Sequence, residues 1–145
     1  MVLSLNGINV ILDNDLDINI SKIRYDDSNG YVRIGVKYLH RIIINAKPGE
    51  IVDHINRNKL DNRLKNLRIV NKSLNNYNKE IKNKLGRGIY FDKSGNRYRA
   101  CISHNNKTEK LGSFKNINDA KKMYNKRANE IYGENAILHN INNIL

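Results

Sequence analysis

The chain has 145 residues, 39% hydrophobic and 28% charged, with a net charge of +12 and an isoelectric point near 9.9. No apolar run approaches the ~18 residues of a membrane-spanning helix, the first residues show no basic-then-apolar leader, and the lone Cys101 excludes an internal disulfide and a multi-cysteine zinc site. The expectation is an intracellular, non-secreted protein without a membrane partner, whose positive charge seeks a polyanion, nucleic acid first.

The first 20 residues carry Asp13, Asp15 and Asp17 but no Lys or Arg. Leu3 and Leu5 alternate before Asn6-Gly7, and Ile8, Val10 and Leu12 alternate after it, which predicts a two-residue hairpin. A second hairpin is predicted at Ser28-Asn29-Gly30, between Ile23 and Tyr25 on one side and Tyr31 to Val36 on the other. Leu39 to Asn45 reads as a short helix that stops before Pro48-Gly49. Ile51 to Ile55 reads as a strand, Asn56 to Asn66 as a polar loop and Leu67 to Val70 as a second strand. Asn71 is a suitable N-cap for a helix to about Asn78.

Residues 79–86 are polar, charged and end in glycine, as a linker does. Strand-like runs follow at Gly88 to Phe91, Arg97 to Ser103 and Lys107 to Leu111, with turn residues between them. Asn116 with Asp119 marks a helix start. Ala120, Met123, Tyr124, Ala128 and Ile131 then recur at helical spacing up to Gly133. The chain therefore reads as α+β. A first unit spans 1–78, a linker 79–86, and a second unit, three antiparallel strands on one helix, spans 87–145. Each is small enough that its own core provides modest stability.

Asp53-His54 puts a carboxylate and an imidazole at the end of a strand. Phosphodiester hydrolysis needs a base for water and a cation for the developing charge. A histidine base works near neutral pH, and oxygen ligands from Asp and Asn suit a hard cation such as magnesium. Asn75, on the following helix, is a second candidate oxygen ligand. Neighbours on a strand point to opposite faces, so Asp53 and His54 serve one site only if the strand ends or twists there. Taken alone, such a pair is more often a solvated surface feature.

The wider string alters that balance. His40-Arg41, Val52-Asp53-His54-Ile55-Asn56, Leu60-Asp61-Asn62-Arg63, Lys65-Asn66-Leu67-Arg68-Ile69-Val70 and Asn75-Asn76 follow in order. Over residues 38–78 the chain resembles HNH endonucleases, especially the homing-endonuclease-like members of phages, viruses and other mobile elements. The resemblance implies a ββα-metal unit holding Mg²⁺ or another divalent ion such as Mn²⁺. It implies His54 as general base, Asp53 as metal ligand, and Asn66 as the residue that holds the loop and the histidine orientation. Asn75, standing where many relatives have histidine, becomes the second metal ligand. One site per unit implies nicking by a monomer, with a homodimer or sequential events for a double-strand break. His40 is assigned a structural or phosphate-contacting role. His104 and His139 are read as surface residues. Arg57, Arg63 and Arg68 are expected, from charge and location, to steer a phosphate backbone.

Arg87-Gly88-Ile89, Arg97-Tyr98-Arg99-Ala100, Leu111-Gly112-Ser113-Phe114 and Asp119-Ala120 through Ala128 resemble the Apetala-type DNA-binding domain of plant ethylene-response factors. That family presents a three-stranded sheet to the major groove. The alternation agrees: Tyr98, Ala100 and Ile102 would face the helix, while Arg97, Arg99, Cys101 and Ser103 face outward, with Arg87 and Lys110 extending the surface. Tyr98 replaces a tryptophan of the plant pattern, and Tyr90 and Asp92 stand where plant domains carry arginines. The target sequence is therefore its own, and Cys101 is a bystander. Together the units imply a metal-dependent DNA endonuclease acting on double-stranded DNA without a small-molecule cofactor. The alternative is a non-catalytic, sequence-specific DNA-binding protein with a decayed nuclease unit.

Overall fold

Asn6 and Gly7 both take positive φ, 50° and 85°, the geometry that turns one strand tightly back along another. They join β1 (Val2–Leu5) to β2 (Ile8–Ile11) in the computed structural model, which describes residues 1–141; positions 142–145 of the expected second unit lie outside the described residues. The chain is a mixed α/β protein of several small antiparallel sheets and few helices. It divides into two units after Asn75. No helix among the described residues is long and apolar enough to cross a membrane.

In the first unit, β3 (Ile23–Asp26), β4 (Tyr31–Ile34) and β5 (Lys37–Tyr38) form a sheet in that order. The Asp26 carboxylate closes the β3–β4 turn by accepting from the Ser28 amide and hydroxyl and from Asn29 Nδ2. Helix α1 (Leu39–Ile43) follows directly. Then β6 (Ile51–His54) and β7 (Leu67–Val70) pair antiparallel, with Asp53 opposite Arg68 and His54 opposite Leu67. Helix α2 (Lys72–Asn78) comes next, and Asn71 Oδ1 accepts from the Leu74 amide as the sequence predicts for a cap. The core is Val10, Leu12, Ile23, Val32 and Leu39, with Leu3, Leu5, Ile34, Ile43 and Leu60 packed around it. Each fully buried side chain of that size contributes ~1.5–3 kcal/mol.

Residues 79–86 hold no helix or strand. In the second unit β8 (Ile89–Asp92), β9 (Arg97–His104) and β10 (Lys107–Phe114) form a sheet with β9 central, and α3 (Ile117–Tyr132) covers one face. Ile89, Ala100 and Ile102 meet Ala120, Tyr124 and Ala128 there, all buried. Asn116 caps α3 by accepting from the Asn118 amide, and Gly133 ends it at φ 54°. β10 runs three residues beyond its expected end at Leu111. A register shift between Lys110 and Gly112 bulges the strand and lets Gly112, Ser113 and Phe114 pair with Ala100, Arg99 and Tyr98.

His139, expected on the surface, is instead half-buried. Its Nε2 lies 2.8 Å from the Arg87 carbonyl, and its ring meets Tyr124 at 4.8 Å. Burial lowers its pKa. His104 is likewise not free, since its ring lies edge-on to Tyr132 at 5.5 Å. The segment after α3 has no periodicity to reveal that Asn125 grips His139 at both its amide and its carbonyl.

Gly88 lies at φ +68°, where a Cβ would sit 2.1 Å from the Cys101 carbonyl oxygen and 2.6 Å from the Tyr124 ring. Gly88→Ala is expected to destabilise the second unit by roughly 2–4 kcal/mol, combining backbone strain with overpacking. Chemical denaturation reads this directly, and an unchanged midpoint would contradict the close approach.

Candidate active site

β6 ends at His54 because the chain turns there. The Arg57 amide donates to the His54 carbonyl at 2.8 Å, and Arg57 takes φ 64°, uncommon for a residue with a side chain. The strand thus stops one residue after Asp53, and the Asp53 and His54 side chains are both buried.

The polar loop from Asn56 is tied down from within. Asn66 Oδ1 accepts from the Asn56 amide at 3.0 Å, and its Nδ2 donates to the Asp61 carbonyl at 2.7 Å. The Asn66 carbonyl takes the Ile55 amide at 2.9 Å. Both ends of the Asn66 amide thus brace the loop that follows His54. Asp61, only 1% exposed, accepts from Asn56 Nδ2 at 2.8 Å and from Arg63 Nε and a terminal nitrogen at 2.8 and 2.7 Å. The Arg63 guanidinium holds the Asp61 carboxyl below its ordinary range. The loop is also pinned from outside: Ile11 donates to the Leu60 carbonyl, Asn62 donates to the Ile11 carbonyl, and Asp13 accepts from the Leu64 amide.

His54 is 5% exposed. Its ring lies 5.1 Å from His40, nearly perpendicular to it, and 6.1 Å from Tyr31. Burial lowers its pKa, while the Asn62 amide, Asp53 and Asp61 pull the other way. Burial thus favours the uncharged imidazole. Arg68 places Nε and a terminal nitrogen 2.9 and 2.7 Å from Asp53 Oδ2, across the β6–β7 ladder. Lys59 Nζ sits 4.3 Å above the Tyr31 ring and donates to the Asn29 carbonyl.

The structure brings Asp53, His54 and Asn66 to one end of the hairpin, and Asn75 is half-buried on α2. Among the described residues no three His, Cys, Asp or Glu side chains cluster as a metal site. The donors expected from the resemblance, the Asp53 carboxylate and the Asn75 amide, are hard oxygens of the type that small divalent ions take. Arg57 is exposed, but Arg63 and Arg68 are engaged with Asp61 and Asp53. Arg87 lies over the Tyr77 ring at 5.0 Å and donates to the Lys79 carbonyl. Arg97, Arg99 and Lys110 are exposed; Arg97 donates to the Ser113 carbonyl, and Arg99 pairs with Asp92. The one signal in the sequence for Asp61 and Asn62 is the string Leu60-Asp61-Asn62-Arg63, which by itself gives them no role.

Residues 37–77 match the family described as HNH endonuclease, so the chain carries an HNH endonuclease domain. Across 104 residues it is 36% identical to an uncharacterised HNH endonuclease of Acanthamoeba polyphaga mimivirus, an alignment covering 69% of this chain and 54% of the relative. The chain spans about half the length of that curated relative. No solved structure matches it.

Burial, with His54 adding to it, lowers the His40 pKa from 6.5 to about 4. Between those values the unfolded chain binds the extra proton, so this contribution to stability is complete above 6.5 and is lost as pH falls towards 4. The gap is worth ~3 kcal/mol. The melting temperature should therefore fall from pH 7 to about pH 4.5, and fall less in His40→Asn. Equal falls in both proteins would contradict the burial of a neutral imidazole.

Proposed function

We propose that this protein is a divalent-metal-dependent, homing-endonuclease-like DNA endonuclease whose first unit cuts and whose second unit grips double-stranded DNA. The reading is carried by His54, a buried imidazole at a strand end, next to a carboxylate and inside an HNH domain. His54 takes a proton from the water that attacks the scissile phosphorus, and the 3′-oxygen leaves as the new bond forms. Asp53 and Asn75 would hold Mg²⁺ or Mn²⁺, which would supply positive charge against the phosphate. Asn66 keeps the loop, and through it the histidine, in place. Arg68 orients Asp53, a role narrower than backbone steering. Arg57, exposed beside the site, and Arg63 at its rim meet the phosphate backbone. With one His54 per chain, each protein nicks one strand inside the cell that holds its DNA.

In the second unit, Arg97, Arg99 and Lys110 lie on exposed positions of a sheet whose other face α3 covers. We read this sheet as an Apetala-type reader, and the exposed basic face supports a major-groove role. The competing reading, a DNA-binding protein with a decayed nuclease, draws on one observation: Arg68 already engages Asp53 Oδ2.

Supercoiled plasmid separates the two readings. Wild type should convert it to open circle with Mg²⁺ and not with EDTA, and His54→Ala should slow conversion by ~10²–10⁴-fold while still shifting DNA in a gel. Equal loss of cleavage and binding would remove His54 as base; binding without cleavage by wild type on randomised-site substrates would favour the decayed nuclease. Arg97→Ala combined with Arg99→Ala should reduce the salt slope of binding by roughly two, one for each lost phosphate contact. An unchanged slope would take that sheet out of the interface.

A further inference from the structure

The His54 ring has a neighbour that the proposed chemistry leaves unused. His40 follows the fully buried Leu39 on α1 and is itself 6% exposed. Its ring stacks on Tyr38 at 5.5 Å with planes 10° apart, and lies 5.1 Å from Tyr31. The other contact is with His54, at 5.1 Å and 74°. Tyr31 closes the group, 5.4 Å from Tyr38 and 6.1 Å from His54. His40 is thus clamped by two tyrosines and set crosswise to the candidate base.

Stability does not account for an imidazole here. Nδ1 of His40 is buried with no hydrogen-bond partner among the described residues. A buried nitrogen left unmatched costs free energy that an apolar side chain avoids. A six-membered ring would add volume to a site already filled on three sides. What His40 supplies is a flat five-membered ring against one side of His54.

We infer that His40 is a positioning residue, which fixes the ring plane of His54 and shields that side of it from water. The catalytic consequence rests on the nuclease reading, whereas the control of ring geometry does not. Small errors in the placement of a reacting group are expensive, on the order of 10²-fold for about 1 Å.

The test uses the full chain as wild type, His40→Ala, and Ile43→Ala as a packing control on the same helix. Imidazole ¹⁵N–¹H correlation spectra are recorded without metal at about pH 8, where an ordinary histidine is neutral. Loss of a signal in His54→Ala assigns His54. His40→Ala should shift or broaden the His54 ring signals, whereas Ile43→Ala should not. With Mg²⁺ and supercoiled plasmid, His40→Ala should lower the nicking rate at saturation by ~10²-fold with DNA affinity unchanged. His54 signals identical to wild type, or moved equally by Ile43→Ala, would overturn the inference. If His40→Ala does not fold, His40→Asn gives the same reading with a smaller change in volume. A wild type that never nicks ends the nuclease reading, while the spectra still decide the role of His40.

Discussion

A buried carboxylate, that of Asp61, anchors the site. A loop as polar as Asn56 to Asn66 has only Leu60 and Leu64 as apolar side chains, and Leu64 is exposed. Asp61 provides the missing anchor through its carboxylate, which takes Asn56 and Arg63, and its carbonyl, which takes Asn66. Burying such a charge is unfavourable unless it is paired and fully hydrogen-bonded. The partly exposed Arg63 meets that need and keeps the cation near water. The loop then fixes the turn at Arg57, and the turn fixes where β6 stops. The Asp53-His54 pair inherits its placement from this chain of contacts.

The surroundings of Asp53 and His54 divide the labour between them. On the His54 side, rings and burial favour the uncharged imidazole. On the Asp53 side, a guanidinium from the paired strand grips one carboxylate oxygen. Opposite electrostatic settings lie one residue apart because neighbours on a strand point to opposite faces, here one aromatic and one ionic.

Much of this was legible in the amino-acid order, and the reasons for the remainder are specific. Asn6-Gly7, Asn71 and Asn116 encode local backbone geometry, so their turn and caps were readable directly. The Asp53-His54 pair stands out at a strand end on its own, whereas Asn66 and the proposed roles of all three rest on the resemblance. The partners of Arg63, Arg68 and Arg87 were not legible. Charge is visible in a sequence, but which carboxylate, carbonyl or ring a guanidinium reaches depends on strand register and on segments distant in the chain. The same holds for His139, whose partners are Arg87 and Tyr124. The extension of β10 depended on a bulge that no residue type announces.

The segment recognisable as an HNH domain begins at residue 37, yet four of the five side chains at the centre of the first unit's core, Val10, Leu12, Ile23 and Val32, precede it. Asp13 and Ile11 also reach forward to hold the loop. What is inherited as a working piece is therefore larger than what is recognisable as a signature. Recombination that transplanted only the signature would carry the reactive side chains without the scaffold that aims them. The two amino-terminal sheets must travel with it, together with Asp13, which holds the loop, and Tyr31, which packs near His54.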